Sequence, residues 1–387
     1  MISPERHAAL DAVSAAGLMI APSLAGCRPG LVRGLFAAGL AVAGYSLLTR
    51  YQPDQRRPLS LDVHRAIDMA QGAGFIAASR KVEAEPGVRQ AMAAYGLFSI
   101  AAAALTPSRE HHVGQQIPVP RRVTTGHRVG RVVEVAPDVA YLPLGIVNVV
   151  FLGRAGAGNR GWVLVDAGLK GTAGLIAKAA AQRFGKGARP AAIVMTHGHF
   201  DHVGALETLA RQWDVPVFAH ALERPFLDGS HSYPAPDPWV GGMMARLSPL
   251  YPRSPVDVAE RLSTLPQDGS VPFLDEWQWV HTPGHSPGHV SLWRPRDRVL
   301  VSGDAVVTTR QESAYAALFH PPEVHGPPAY FTPDWTAAAA SVRHLAQLEP
   351  ELLVSHHGAA LSGPQMRHAL HRLAEHFEEI ATPGGGT

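Results

Sequence analysis

The sequence predicts an α/β protein preceded by an all-α domain of four helices. Three observations lead there. Uncharged runs rich in Ala, Gly, Leu and Ile crowd the first 110 residues, at 12–27, 34–49, 69–79 and 91–108. From residue 123 onward, short β-branched runs alternate with helical stretches, the signature of buried strands linked by helices. Those short runs end in polar residues, several of them drawn from the 21 histidines of the chain. The length of 387 residues suits two or three domains. Apolar residues make up 46% and charged residues 17%, against roughly 25% charged in an average soluble domain, which excludes a disordered chain. A formal charge of +2 without any block of Lys and Arg excludes a nucleic-acid partner. The single cysteine, Cys27, excludes an intramolecular disulfide framework and a multi-cysteine zinc site.

In order along the chain, the expected parts are a helical domain at 1–110, a linker at 111–125, a catalytic domain at 126–380 and a flexible Gly-rich tail at 381–387. Pro118 and Pro120 discourage regular structure in the linker. The helical domain repeats itself. A shift of 57 residues lays His7-x-Ala9-x-Asp11 on His64-x-Ala66-x-Asp68, Pro29-Gly30 on Pro86-Gly87, Gly39-Leu40 on Gly96-Leu97, and Leu48-Thr49 on Leu105-Thr106, without a gap. This predicts two helical hairpins, each with a Pro-Gly break between its helices. His and Asp at i, i+4 share a helix face, where they hold neighbouring helix ends together, bind a metal or relay protons.

Four near-uncharged runs in one short stretch predict a membrane-embedded domain, and small residues let helices approach closely in lipid. The region resembles small bacterial four-helix membrane modules of the SPW-repeat type. Glu5, Arg6 and Asp11 near the start argue against a cleavable signal peptide. With four spans, Arg6, Arg50, Arg56, Arg57, Arg65, Arg109, Arg121 and Arg122 fall on one side, and Arg28, Arg33, Arg80, Lys81 and Arg89 on the other. Eight against five favours a cytoplasmic catalytic domain on a cytoplasmic (inner) membrane. A soluble cytoplasmic bundle is the alternative.

In the second half, strands are expected at 162–165, 192–195, 277–280, 299–301 and 352–354. They lead into Asp166-Ala-Gly168, Thr196-His197-Gly-His199-Phe-Asp201-His202, His281-Thr-Pro-Gly-His285, Ser302-Gly-Asp304 and Ser355-His356-His357-Gly358. Ligand-type side chains at several strand ends converge on one edge of a sheet. The cluster His197, His199, Asp201, His202 precedes an expected helix at 204–212. A short loop aims alternate residues to either side, so one subset can hold one cation and the rest another.

These motifs, in this order, resemble the signature of the metallo-β-lactamase superfamily over about residues 126–375. The resemblance implies an αββα sandwich, two mixed sheets with helices outside. It implies a dinuclear centre with His197, His199 and His285 on one metal, Asp201, His202 and His357 on the other, and Asp304 between them, with Asp201 and His202 also in catalytic roles. Asp166 matches the family's earlier supporting aspartate. His357 rather than His356 is the expected ligand because it directly precedes Gly358. Two divalent cations bring the pKa of a shared water toward neutrality, so that hydroxide attacks a carbonyl or phosphoryl group. The three imidazoles favour zinc, and the carboxylates leave iron or manganese open.

The substrate is expected to be a small molecule. One helix expected at 364–380 after the last ligand argues against a glutathione-holding domain of the glyoxalase II kind, and Asp304, standing where dinuclear β-lactamases tend to have Cys, argues against drug hydrolysis. The stretch 216–272, with Trp239, Met243 and Met244, is expected to cover the site and bind an apolar group. His320, His325 and Tyr330 lie in a Pro-rich segment that can overhang the metals and donate a proton, and His289 can face the pocket or point outward. The leading expectation is an ester, thioester or lactone hydrolase. The alternatives are a phosphodiester hydrolase and a non-hydrolytic di-iron redox or sensor protein.

Overall fold

The computed structural model describes residues 2–51, 59–106, 128–313, 316–317 and 322–383. The expected linker at 111–125, His320, and residues 384–387 of the expected tail lie outside the described residues. The chain divides near residue 112 into two compact units.

The first unit is four helices, α1 (Pro4–Leu24), α2 (Pro29–Leu48), α3 (Leu61–Lys81) and α4 (Pro86–Leu105), with a two-residue parallel pair β1 (Thr49–Arg50) and β2 (Leu59–Ser60). Ser3 and Ser60 cap α1 and α3, accepting from the amides of Arg6 and Val63, each at 3.3 Å. Pro29 and Pro86 open α2 and α4, where a missing N–H costs nothing. Helix α1 packs on α2, and α3 on α4. Small residues make both contacts close. A Cβ on Gly39 would stand 2.7 Å from the Ala15 carbonyl, and one on Gly96 would stand 2.5 Å from that of Gly72. The 57-residue repeat superposes these pairs, so both hairpins are built alike.

By length and composition, α1, α2 and α4 are apolar enough to cross a membrane among the described residues; α3 is not. Three of the four expected spans therefore meet that measure among the described residues. Helix α3 reaches beyond its uncharged run and carries Asp62, His64, Arg65 and Asp68, of which the last three are buried.

The second unit has two sheets. The first runs β3 (Val133–Ala136), β4 (Val139–Pro143), β5 (Asn148–Leu152), β6 (Val163–Val165), β7 (Ala192–Val194), β8 (Val217–Ala219), β9 (Leu262–Thr264), in sequence order. The second runs β10 (Ser270–Val271), β11 (Leu274–His281), β12 (Val290–Arg294), β13 (Val299–Gly303), β14 (Leu352–Ser355), β15 (Leu361–Ser362). Antiparallel pairs open each sheet and parallel pairs follow, β6 to β9 in the first and β13 with β14 in the second. Along β5 the side chains alternate: Val149 and Phe151 face the helices Ala173–Phe184 and Leu206–Trp213, while Val150 and Leu152 face the other sheet. The second sheet packs its outer face on helices Trp335–Gln347 and Pro364–Glu375. The result is helix, sheet, sheet, helix, the αββα layering expected from the sequence, with two mixed sheets whose strands are buried.

One expected helix gains a helical turn ahead of it, and another is broken in two. The stretch after the histidine cluster forms Phe200–Val203 and then Leu206–Trp213, so Asp201 and His202 sit inside a helical turn rather than before one. Gly204 makes this possible, since a Cβ there would collide with the backbone of Leu169 and Lys170. The C-terminal helix stops at Glu375 and resumes as Phe377–Ile380.

Candidate metal centre

The site lies at the ends of β7, β11, β13 and β14 and is built from the loops that follow them. The turn after β7 carries His197 and His199, and the helical turn Phe200–Val203 carries Asp201 and His202. The loop between β11 and β12 carries His285. Asp304 follows β13, and His357 follows β14. These side chains are buried.

Two groups form. One ligand atom each from His197, His199 and His285 lie within 4.8 Å of one another, and so do those from Asp201, His202 and His357. Asp304 stands between them. Its Oδ2 is 3.3 Å from His285 Nε2 and 3.0 Å from His357 Nε2, and its Oδ1 is 3.4 Å from His202 Nε2. The structure thus brings together all seven residues singled out from the sequence.

Most of the imidazoles are held in one tautomer by what their outer nitrogen meets. His202 Nδ1 donates to Asp166 Oδ2 at 2.7 Å, and His357 Nδ1 donates to the Ile146 carbonyl at 2.6 Å. The Thr332 hydroxyl donates to the Pro328 carbonyl at 2.8 Å, so at 3.2 Å it accepts from His285 Nδ1. Thr196 likewise donates to Asp166 and accepts from His197 Nδ1 at 3.1 Å. In each case Nε2 is left with its lone pair aimed into the cluster. His199 differs, since it is Nδ1 that faces inward, 2.9 Å from His285 Nε2. Outer partners of this kind fix ligand orientation and raise ligand basicity.

The donors fit divalent metal ions. His197 Nε2, His202 Nε2 and Asp304 Oδ1 are buried and make no hydrogen bond, a costly condition unless a cation meets them. The pKa directions divide the cluster: burial opposes charge on His202 and His357, but Asp304 and the neighbouring carboxylates outweigh it and raise both, marking positive charge that the carboxylates call for. Burial and neighbouring imidazoles push His197 and His199 well below the usual histidine value, so both stay neutral and ready to ligate. Burial opposes charge on Asp304, but His357 and His202 hold its carboxyl well below the carboxylate range.

Asp166 is fully buried with φ at +59°, a conformation rare outside glycine. It accepts from the Thr196 amide at 2.7 Å, the Thr196 hydroxyl at 2.6 Å and His202, and lies 3.1 Å from His356 Nε2. His356 therefore faces Asp166, while His357 faces the cluster. His289 is buried and points inward. Its Nε2 accepts from the Asp304 amide at 2.9 Å and its Nδ1 donates to Thr282 at 2.8 Å, so it aims Asp304. Burial, with His285 nearby, takes His289 down to about 3.

Several positions escape sequence reading. Glu223 accepts from the Gly198 amide at 2.9 Å, the Gly288 amide at 2.8 Å, the Ser286 hydroxyl at 2.7 Å and the Tyr233 hydroxyl, tying the loop of His199 to the loop of His285. The Asn148 amide donates to the carbonyls of Ser355 and Gly358 and pins the turn that holds His357. No local motif marks either residue.

A cavity of about 350 Å³ opens beside His199 and His285. Phe226, Tyr233, Pro234, Pro283, Tyr330 and Phe331 line it, with Asp237 and Asp334 at its polar end; no Lys or Arg contributes. The stretch after β8 supplies part of this wall through Phe226, Tyr233 and Pro234 and not through the expected Trp239 or Met244, and the Met243 side chain lies outside what is described. Trp239 is 74% exposed under Arg246, and Met244 packs with Tyr251, Tyr330 and Phe331. Tyr330 reaches the cavity. His325 does not: its backbone pairs with Val307, and its ring is turned to the Gly326 carbonyl.

The model of the metallo-beta-lactamase superfamily matches residues 142–357. A probable metallo-hydrolase of Bacillus subtilis, YflN, is 48% identical over 257 residues, which is 66% of this chain and 97% of that protein. The acyl-coenzyme A thioesterase MBLAC2 of Gallus gallus is 33% identical over 32% of this chain and 44% of its own length. A hydroxyacylglutathione hydrolase of Bdellovibrio bacteriovorus is 26% identical over 30% of this chain and 34% of its own.

Proposed function

The chain belongs to the metallo-beta-lactamase superfamily, and on that premise we propose that it is a membrane-anchored dinuclear hydrolase of esters, thioesters or lactones with an apolar acyl part. His197, His199 and His285 would hold one divalent ion and Asp201, His202 and His357 the other, with Asp304 within reach of both groups; zinc suits the imidazole-rich set first. When bound, the pair of ions supplies a water acidic enough to act as nucleophile near pH 7 and an electrophile for the carbonyl oxygen.

The protein's own residues then do the rest. The aromatic and proline wall takes the acyl chain out of water and sets its carbonyl beside His199 and His285. Burial holds the Tyr330 phenol well above its ordinary pKa, so it stays protonated and donates a hydrogen bond to the charge that develops on oxygen or sulfur. Asp166, His289 and Glu223 keep the donors from turning away as charge shifts.

The cavity carries this choice of substrate. A phosphodiester anion needs cationic partners, and the lining offers two carboxylates instead. The likeness to an acyl-coenzyme A thioesterase supports the same direction. A panel of acyl thioesters, aryl esters and lactones of rising chain length, set against a chromogenic phosphodiester, tests it. Turnover that improves with acyl length is expected; phosphodiester cleavage alone, or oxygen consumption without hydrolysis, would overturn it.

The helical half is proposed to sit in a membrane, catalytic half on the cytoplasmic side. Val13, Leu24, Leu47 and Leu97 stand 62% to 83% exposed, more apolar surface than a soluble bundle leaves to water. Helix α3 can cross with them because His64, Arg65 and Asp68 are buried and Arg80 and Lys81 stand at its end. The full chain is expected in the membrane fraction, released by detergent and not by high salt, while a chain starting at residue 124 stays soluble. Recovery of the full chain in the soluble fraction without detergent would defeat the assignment.

A further inference from the structure

A second cluster of metal-type side chains lies in the helical unit, separate in sequence from the hydrolytic centre and unused by its chemistry. His7 and Asp11 come from α1, and His64 and Asp68 come from α3. All four are buried, and their ligand atoms lie within 4.8 Å of one another. His7 Nε2 is 2.9 Å from Asp68 Oδ2 and 3.5 Å from Asp11 Oδ1. His64 Nε2 is 3.0 Å from Asp11 Oδ2 and 3.2 Å from Asp68 Oδ2. Nitrogen and oxygen atoms held about 2.0–2.1 Å from a tetrahedral cation stand roughly 3.3 Å apart, which these four separations bracket.

The outer shell is fixed as well. The Thr106 hydroxyl donates to the Ala102 carbonyl at 2.7 Å, so at 2.6 Å it accepts from His7 Nδ1. The Thr49 hydroxyl donates to the Tyr45 carbonyl at 2.7 Å, so at 2.8 Å it accepts from His64 Nδ1. Both imidazoles are thereby set with Nε2 toward the carboxylates. Tyr45 donates to Asp68 Oδ1 at 2.6 Å and Tyr51 to Asp11 Oδ2 at 2.5 Å, which orients the carboxylates in turn. His7 and His64, Asp11 and Asp68, and Thr49 and Thr106 are the same three positions of the 57-residue repeat. The repeat therefore reproduces ligand, counter-ligand and orienting hydroxyl as a set.

Charge decides what completes the cluster. Two carboxylates are shut in among apolar helices, and among the described residues no Lys or Arg ion pair reaches either; Arg65 is engaged by Asp62 at 3.1 Å. Neutrality needs two positive charges, from two imidazolium ions or from one divalent cation. The cation does it with neutral imidazoles, whose Nε2 lone pairs are already convergent, and it avoids confining two like charges side by side.

We propose that the helical unit binds one divalent transition-metal cation through His7, Asp11, His64 and Asp68. Protein atoms fill all four positions, so the site is closed and structural, clamping the start of α1 to the start of α3. The small-residue contacts lie within each hairpin, so a clamp between α1 and α3 gives the two hairpins a fixed register that lipid does not enforce. Imidazole and carboxylate donors together suit Zn²⁺, Fe²⁺ or Mn²⁺ over Ca²⁺ or Cu⁺.

The test counts ions on the full-length protein in detergent, loaded with Zn²⁺ and freed of excess. Wild type is expected to hold one more zinc per chain than His64→Gln or Asp68→Asn, with hydrolysis by the variants within twofold of wild type. Zinc-edge anomalous scattering from wild-type crystals is the second measurement, needed if the variants fail to fold, and a peak between the rings of His7 and His64 is expected. Equal zinc counts in wild type and folded variants, or no peak between those rings, overturns the proposal and leaves a proton-only network. Neither readout depends on the hydrolytic reading, whose failure would leave both unchanged.

Discussion

In the sandwich, the inward-facing histidines come from loops that share no sequence, and their outer N–H groups find a carboxylate, two hydroxyls and a carbonyl. In the helical unit, two copies of one hairpin supply the same donor, the same counter-ligand and the same orienting threonine twice. Both clusters are buried and both join imidazole to carboxylate. The difference is closure. Unlike loops leave an edge, and here that edge is the apolar cavity beside His199 and His285. Two like hairpins leave none, because each fills the half the other lacks. A catalytic centre needs the first kind of construction and a structural clamp the second.

The largest effect that sharpens this contrast is the loss of His199. Its ring packs on Phe331 with centroids 4.6 Å apart and on Tyr233 at 4.2 Å, and alanine there removes the proposed ligand without changing any residue of α1 to α4. His199→Ala is expected to take hydrolysis to background and to lower the metal content of the sandwich, while the far-ultraviolet circular dichroism of the whole chain stays as in wild type. Full activity in this variant would mean the ligand assignment is wrong and that His199 is only a wall of the cavity.

How much of either region can be read in advance follows from where its information lies. His197, His199, Asp201 and His202 are legible because four ligand types in six residues have little structural explanation. His285, Asp304 and His357 are legible because each follows a buried strand. The helical pairs are legible as a repeat, but their convergence is not. His7 and Asp68 belong to helices 61 residues apart, and only the packing of α1 beside α3 shows that they meet. The helical turn before Gly204 is hidden for a similar reason, since the residues that forbid a Cβ at Gly204 are Leu169 and Lys170, from another turn. Helix α3 is hard to read from composition: an uncharged core of 11 residues follows His64, Arg65 and Asp68, which are buried.

Glu223 is the position most wholly hidden, and its loss is the smaller effect that would break or confirm the account of the open site. Oε1 accepts from Ser286 and the Gly288 amide, and Oε2 accepts from the Gly198 amide and Tyr233. All four partners are donors. Glutamine keeps one accepting oxygen and sets an amide N–H₂ against two of them, leaving buried donors unmet at about 1–3 kcal/mol each. Because those donors belong to the loops of His199 and His285, the strain is delivered to the first metal's ligands and not to Asp201, His202 and His357. Glu223→Gln is therefore expected to weaken metal binding at one ion of the pair by about 10- to 100-fold, seen as a split in a competitive chelator titration that wild type lacks. Saturating metal should restore most of kcat. Uniform weakening of both ions, or none, would show that Glu223 serves the fold at large, and that the open site, like the closed one, holds its ligands without help from beyond the loops that carry them.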